Sequence, residues 1–462
     1  MASSSITHLT PPNHKTSDDI VGHPHILTVR GADPEVPAEI YNRSLILTGH
    51  GIPLFTPGLK GDKRVPKPVA QRGLSIGDVG VVDRTNGAFE YFFNVFLPKE
   101  HPEQYKIPDS FTPIGSPPQE SQLRRVTNYH KAGTVVASSG VEIRLVEDSI
   151  NHFTYTTEDI EGAILVLPHG ASREDILDPS ALNEYISQHA TKWYQHINPY
   201  GDPYFTNGTL TVVTGCDKAC DWATAVFPAQ SGEEKASGEY KYVPGGRTSG
   251  TLWSNMTNSN GRSHEWPGDV QDEVPVEADG VSVPENQCVF VRGTTISINN
   301  HIWPELHASY LGSGPFHAII RLERTPLRKT IDSVKDKFGM KTDTGMVEEE
   351  KARAAARGSD QLFFQPAFPI SEALLKLVPK ADVVLVNDSC WCQLVEGSTC
   401  TVDEVNDLVS RVFESHEALL NSGALALVPK PDRNQSSEKD DKKKRKQYGP
   451  WANYSRLKHA GF

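Results

Sequence analysis

The stretch from Leu210 to Phe227, LTVVTGCDKACDWATAVF, decides the fold. Apolar and β-branched residues flank a short polar segment, and each flank has the length of a strand. The pattern predicts a strand, a corner centred on Gly215 and a second strand, with Trp222 and Phe227 packed inward. Cys216 and Cys220 miss the Cys-x-x-Cys spacing by which two thiolates hold one zinc ion from a tight turn. The stretch therefore predicts two strands more clearly than it predicts a metal or redox site.

Similar runs recur between residues 36 and 324, separated by Gly, Pro, Asn and Asp at intervals of about ten residues. Asn86-Gly87 lies between two of them and predicts a hairpin, because both residues tolerate positive φ. One amphipathic helix, Pro179 to Ile197 with Asp178 as its N-cap, is embedded in this region. We expect a mainly β fold of the α+β class, an antiparallel sandwich or open barrel with an embedded helix.

The rest of the chain divides by composition. Residues 1 to 35 are rich in Ser, Thr, Pro and Asp and predict a disordered arm. Residues 325 to 360 are charged and predict a linker. Residues 361 to 430 have the helix, strand and helix pattern of a small C-terminal α/β unit, and residues 431 to 462 predict a basic, disordered tail.

Composition excludes several classes of protein. The chain has 462 residues and a net charge of −12, which argues against a general nucleic-acid binder. It has no secretory signal pattern and no apolar run near the roughly 18 residues that a membrane span needs. We expect a cytoplasmic protein with reduced thiols that binds neither membrane nor specific nucleic acid.

The sharpest short motif is a run of five cations in the tail. Such a run cannot pack in a core, so it is exposed and suits a nuclear-import receptor or an acidic partner. The alternative is a solvated tail without a partner. The nuclear-import candidates are Lys442, Lys443, Lys444, Arg445 and Lys446.

Motifs of enzymes and of metal sites fail on spacing. The segment AILVLPHGAS, with His169, is typical of an α/β-hydrolase strand and turn, but no Gly-x-Ser-x-Gly follows it. His301 and His307 are six residues apart, whereas His-Glu-x-x-His puts two imidazoles four apart on one helix face. The alternative is a metal site assembled from several strands with His152, His169 or His317.

The cysteine and glycine patterns predict neither a metal site nor a nucleotide site. Cys390 and Cys392, with Cys400 beyond, do not have zinc-knuckle spacing, and free cysteine commonly behaves as a small buried hydrophobe. The glycine-rich loops that bind dinucleotides or nucleoside triphosphates do not occur. No cofactor and no metal is predicted.

Two hypotheses follow. The first is an intracellular, non-catalytic interaction or ligand-sensing protein of unknown specificity, whose partner is an unidentified protein or small molecule. The second is an enzyme whose site is dispersed over strand ends, with an unknown reaction. Its candidate residues are His169, Cys216, Lys218 and His301.

Several ordered blocks carry a resemblance to a known family. They are GLSIGDVGVVDRTNGAFEYFFNVFLPKEHP, EGAILVLPHGAS, HATKWYQHINPYG and NGTLTVVTGCDKACDWATAVF, with a weaker echo from LFFQPAFPISEALL to NDSCW. Between about Leu45 and Ile320 the chain resembles an uncharacterised family of proteins from mushroom-forming (basidiomycete) fungi. The family has no assigned activity, so the resemblance implies a source and an intracellular compartment but no reaction.

The family pattern also ranks residues within the opening stretch. It resembles Thr-Gly-Cys-x-Lys, a variable pair, Ser-Trp-Gly and then Ala-x-Phe. In this sequence Cys220 falls in the variable pair, Asp221 takes the place of the serine and Ala223 that of the glycine. The resemblance therefore favours Cys216 and Lys218 over Cys220 as site residues. A lysine beside a thiol favours the thiolate where both are partly exposed.

Overall fold

The structure is a computed structural model. It describes residues 37–59, 65–83, 85–145, 153–157, 161–197, 207–227, 239–242, 253–255, 262–266, 284–303, 306, 365–395 and 402–430. The expected arm 1–35, linker 325–360 and tail 431–462 lie outside these residues, and so do the five cations of the tail. His152, His307, His317 and Cys400 also lie outside them.

Strands dominate the described residues. The helices are α1 Pro37–Leu45, α2 Lys67–Arg72, α3 Ser180–Ile197, α4 Ala367–Leu377, α5 Cys392–Val395 and α6 Val402–Ser415. The strands are β1 Ile52–Pro53, β2 Asp78–Val82, β3 Phe89–Asn94, β4 Leu123–His130, β5 Thr134–Ala137, β6 Val141–Leu145, β7 Phe153–Thr157, β8 Gly162–Leu167, β9 Ala171–Ile176, β10 Thr211–Ala219, β11 Trp222–Phe227, β12 Glu239–Tyr242, β13 Trp253–Asn255, β14 Arg262–Trp266, β15 Gln287–Ile298, β16 Val383–Asn387, β17 His416–Asn421 and β18 Ala424–Pro429.

The strands form three sheets. A ten-stranded sheet has the order β17-β18-β16-β15-β10-β2-β3, with β1 paired to β15, β9 to β10 and β4 to β9. Two four-stranded sheets have the orders β14-β11-β8-β5 and β13-β12-β7-β6. Within the described part, β16 and β18 form the one parallel pair. The α+β prediction is confirmed, and the sheets do not close into a barrel.

The central strands of the large sheet are buried on both faces. Val384 and Val386 of β16 pack with α4 and α6, whereas Val383 and Leu385 pack with α3 on the opposite face. Alternate residues of a strand point to opposite faces, so both faces of β16 need apolar side chains. This explains why the central strands have continuous apolar runs rather than alternating ones.

Local signals gave two correct predictions. Helix α3 begins at Ser180, one residue after the predicted start, and the Asp178 Oδ1 accepts a hydrogen bond from the Ser180 amide at 2.9 Å. Strands β2 and β3 form the predicted hairpin, with Gly87 at φ 65° in its turn.

The C-terminal segment is not separate from the β-rich region. Strand β16 pairs with β15, from Thr294 opposite Asn387 to Ile298 opposite Val383, and β18 and β17 continue the sheet. The expected helix, strand and helix are present, but the second helix ends at Ser415 and strands β17 and β18 follow it. The strands of residues 365–395 and 402–430 therefore belong to the same sheet as β15.

The predicted corner at Gly215 is wrong. Strand β10 runs through Gly215 to Ala219, and the chain turns at Cys220 and Asp221. A Cβ atom at Gly215 would lie 2.0 Å from the Asp175 Oδ1 atom and 2.9 Å from the Arg292 Nε atom. The glycine thus serves the close approach of an ion pair to the strand. Trp222 and Phe227 point inward as predicted, each 1% exposed.

Two connections cross between sheets at the same place. Strand β8 lies in a four-stranded sheet and β9 in the large one, while β10 lies in the large sheet and β11 beside β8. Lys218 is opposite Ser172 on one side of the crossing, and Ala223 is opposite Val166 on the other. Residues 168–170 and 220–221 therefore face each other; we call them the sheet corner.

Candidate functional site

A buried carboxylate on β10 is the centre of a cluster of charged residues. Asp217 on β10 is 0% exposed, and its Oδ1 accepts hydrogen bonds from Arg173 Nε and Arg292 Nη1, both at 2.8 Å. Its Oδ2 lies 3.0 Å from the His130 Nε2. We call these four residues, together with His50, the Asp217 cluster. It joins β4, β9, β10 and β15.

Charge balance keeps Asp217 ionised. Burial raises the pKa of Asp217, but Arg292, the hydrogen bond to His130 and Arg173 outweigh it and lower the pKa to about 2. Asp175 adds a second negative charge, with its Oδ1 2.5 Å from the Arg292 Nε. Two carboxylates therefore offset two guanidinium groups in a largely buried site.

The same guanidinium groups hold a loop. The His50 carbonyl oxygen accepts hydrogen bonds from Arg292 Nη1 at 2.7 Å and from Arg173 Nη2 at 3.0 Å. Gly49 and Gly51 flank it with φ of 74° and 118°. A Cβ atom at Gly51 would lie 2.7 Å from the Val291 carbonyl oxygen, so glycine is required for this approach.

The His50 imidazole sits among other rings at the edge of the cluster. Its centroid is 4.8 Å from that of His130 and 6.0 Å from that of Tyr129, and Arg173 lies over the Tyr129 ring at 4.1 Å. Burial, and then the His130 charge, lower the pKa of His50 to about 4. His50 is neutral at physiological pH. With Tyr129, which is 38% exposed, it forms the accessible edge of the cluster.

The geometry limits what the Asp217 cluster can do. Ligand atoms of His50, His130 and Asp217 lie within 4.8 Å of one another. However, two guanidinium groups contact the Asp217 carboxylate and would repel a metal cation. Both oxygens already accept hydrogen bonds, so Asp217 is badly placed to act as a base. Its clear role is to fix four strands and the His50 loop.

A second buried carboxylate titrates in the opposite direction. Asp388, also 0% exposed, accepts hydrogen bonds from the Gly293 amide at 2.8 Å and from Trp391 Nε1 at 2.9 Å. These donors are neutral, so burial dominates and raises the pKa of Asp388 to about 7. Burial alone thus does not set protonation; the charge of the partners does.

The structure buries the thiol that sequence favoured. Cys216 is 2% exposed and contacts Cys288 across β10 and β15. Burial, and then the hydrogen bond with Cys216, raise the pKa of the Cys288 thiol well above its usual range. Lys218 is half-buried and lies close enough to Cys288 for its charge to act on the thiol. The partial exposure that thiolate chemistry needs is absent at Cys216.

The four sequence candidates do not meet in one place. Lys218 pairs with Cys288 near the start of β15, whereas His301 follows the end of that strand. Twelve residues of strand span about 40 Å at about 3.3 Å each. His301 is 56% exposed, with Nε2 3.7 Å from the Asp382 Oδ1.

His169 instead meets two residues that sequence reasoning set aside. At the sheet corner its Nδ1 contacts the Asp221 Oδ2, and the Cys220 thiol donates to the Asp221 Oδ1 at 3.6 Å. His169 is half-exposed, Cys220 partly buried and Asp221 buried. We call these three residues the corner triad. Sequence analysis missed it because its strand pairing is not local.

Comparisons with known proteins add no identity. Neither models of protein families nor curated proteins matched the chain. Among the helices described, none is long and apolar enough to cross a bilayer.

Replacing Asp217 with asparagine removes one charge and keeps the side-chain shape. We expect the free energy of unfolding to fall by about 3–5 kcal/mol at pH 7, because two buried guanidinium groups lose their shared partner. The folded-state pKa is depressed, so the wild-type advantage is complete above about pH 5 and declines as pH falls towards 2. Urea unfolding at several pH values measures it.

The matched control is Asp407→Asn, whose largely exposed carboxylate lies 2.8 Å from the Nε atom of Arg411 within one helix. It should cost less than about 0.5 kcal/mol. Equal effects of the two variants would contradict a buried, charge-dependent role for Asp217.

Asp388 should make stability fall as pH rises. Its folded-state pKa is raised, so its contribution is complete below the unfolded value near 4 and is lost as pH rises through about 7. Unfolding of wild type and Asp388→Asn between pH 5 and 8 should show a difference that shrinks as pH rises, because asparagine does not titrate. A pH-independent difference would contradict the raised pKa.

Proposed function

We propose that this protein is an intracellular ligand-sensing protein without catalytic chemistry, and that its ligand contacts the edge formed by His50 and Tyr129. One observation carries the proposal: both oxygens of Asp217 are occupied, and the two arginines that bind them also hold the His50 carbonyl. The contacts of the Asp217 cluster thus hold the His50 loop in place.

Several features argue against catalysis by Asp217 and by the buried cysteines. A general base needs a free oxygen or nitrogen within reach of a substrate proton, and Asp217 is wholly buried with both oxygens in hydrogen bonds. Burial, and then the charge of Asp388, raise the pKa of the Cys390 thiol to about 12, and Cys392 is buried beside it. Such thiols are poor nucleophiles at neutral pH.

The His50 edge has the chemistry of a binding site. A neutral imidazole both donates and accepts hydrogen bonds, and Tyr129 adds a hydroxyl group and an aromatic edge. These groups suit a small polar ligand with a flat apolar part. A ligand that moves His50 must also strain the hydrogen bonds of its carbonyl to two arginines. Binding is therefore linked to the cluster that joins four strands.

The alternative is an enzyme with a dispersed site at strand ends. It needs His169, Cys216, Lys218 and His301 to converge on one substrate, and a β15 strand of twelve residues separates His301 from the rest. Burial of Cys216 counts further against it. A non-catalytic sensor is the function that the geometry supports best.

Location and family belong to the same proposal. We infer that the protein is cytoplasmic, that the basic run of the tail gives it access to the nucleus through an import receptor, and that the chain belongs to the basidiomycete family that it resembles. The support is the five consecutive cations and the ordered sequence blocks.

A ligand panel tests the sensing proposal. Organic acids, amino acids, sugars and nucleosides are each added to the full chain, and the melting temperature is recorded. A ligand at about 100 times its Kd stabilises by about 2.7 kcal/mol, so a true ligand gives a clear upward shift. Tyr129→Ala should abolish that shift by removing part of the edge.

Tyr105→Ala is the matched control, since both tyrosines are 38% exposed. It should keep the full shift. A panel without any stabilising compound would count against ligand sensing. If a compound of the panel is converted to a product, and His50→Ala abolishes that conversion, the protein is an enzyme and the sensing proposal is wrong.

Deleting Lys442 to Lys446 tests the import proposal. A fluorescent fusion of the full chain should be enriched in the nucleus, and the deletion should shift it to the cytosol, because the receptor needs clustered positive charge. Replacing the five residues with five arginines should preserve nuclear enrichment. An unchanged distribution after deletion would contradict an import role.

A further inference from the structure

We propose that the corner triad, His169, Cys220 and Asp221, is a binding site for a divalent metal ion of the zinc class. The proposal is independent of ligand sensing at the His50 edge. It rests on three ligating side chains of different chemistry that two chain crossings bring together. One ligand atom from each side chain lies within 4.8 Å of the other two.

The spacing of the triad fits a tetrahedral ion. Zinc binds sulfur at about 2.3 Å and carboxylate oxygen at about 2.1 Å, which places the two ligands about 3.6 Å apart at the tetrahedral angle. The Cys220 Sγ and the Asp221 Oδ1 are 3.6 Å apart. The His169 Nδ1 already contacts the other oxygen of Asp221. An ion would replace the proton between His169 and Asp221, so these two side chains move apart as the three ligands close on the ion.

The donor set selects the class of metal. Sulfur, imidazole nitrogen and carboxylate oxygen together suit Zn²⁺ or Co²⁺, whereas Mg²⁺ and Ca²⁺ require oxygen ligands. Three protein ligands leave a fourth position, and His169 is half-exposed, so that position opens towards solvent. This arrangement admits water or an external ligand at the fourth position.

Electrostatics favour an ion here and oppose one at Asp217. A thiolate beside the Asp221 carboxylate places two negative charges 3.6 Å apart, and a divalent cation between them neutralises both. On binding, the Cys220 thiol releases its proton to solvent. The neutral form of His169 carries its proton on Nδ1, towards Asp221, and moves it to Nε2 when Nδ1 binds the ion. Each ion therefore releases one proton.

Other elements position the triad before an ion arrives. Cys220 and Asp221 are adjacent in the connection between β10 and β11, and His169 lies in the connection between β8 and β9. The pairs Lys218 with Ser172 and Ala223 with Val166 fix these connections on both sides. A bound ion would tie the two crossings together.

Titration of the full chain with Co²⁺ tests the site. A Cys-ligated Co²⁺ ion gives a thiolate-to-metal charge-transfer band in the near ultraviolet and visible d–d bands of tetrahedral intensity. We expect one such site per chain, displaced by Zn²⁺. Cys220→Ser should abolish the charge-transfer band, and His169→Gln should weaken Co²⁺ binding by more than about 100-fold, because losing even an outer partner of a ligand costs 10–100-fold.

His301→Gln is the matched control, since His301 is also exposed and lies near a carboxylate, that of Asp382. It should keep the charge-transfer band and its affinity. A band that persists in Cys220→Ser, or its absence from the wild type, would overturn the proposal.

Alkylation of the wild type gives a readout that needs no variant to fold. Iodoacetamide should modify Cys220 before the buried Cys216, Cys288, Cys390 and Cys392, and Zn²⁺ should slow modification of Cys220 by at least tenfold, which peptide mass spectrometry measures. Equal modification of Cys220 with and without Zn²⁺ would contradict metal binding at the corner.

Discussion

The ion pairs of Asp217 with Arg173 and Arg292 are the interaction on which the surrounding structure depends. Removing a carboxylate and two guanidinium groups from water costs several kcal/mol per ion, and only close pairing with further hydrogen bonds offsets that cost. Here the arginines also bind Asp175 and the His50 carbonyl. The polar atoms at this junction thus satisfy one another, and four strands share one set of contacts.

The two wholly buried carboxylates Asp217 and Asp388 show how partners decide chemistry. Asp217 meets cations and stays ionised, whereas Asp388 meets the amide of Gly293 and the indole of Trp391 and tends towards the neutral acid. Both lie on strands or turns beside β15. The large sheet and the turn after β16 therefore hold two carboxyl groups that change protonation at different pH, one at about 2 and the other at about 7.

Sequence predicted what depends on neighbours along the chain. The hairpin at Asn86-Gly87, the capped helix α3 and the inward Trp222 follow from turn chemistry and periodicity, and the structure contains all three. The Asp217 cluster was missed because its hydrogen bonds join residues up to 242 positions apart. Gly215 was misread as a turn for the same reason: what requires a glycine there is an ion pair from other strands.

The corner triad illustrates the same limit, and its assembly depends on the Asp217 cluster. Cys220 was judged by its distance from other cysteines, but its neighbours are Asp221 and a histidine 52 residues from Asp221 in sequence. Once β9 is paired with β10, the register alone brings His169 opposite them. The Arg173 to Asp217 ion pair joins those same two strands. The charged cluster thus fixes the register that assembles the corner, and an ion bound there would meet ligands whose ordering cost is already met by the fold.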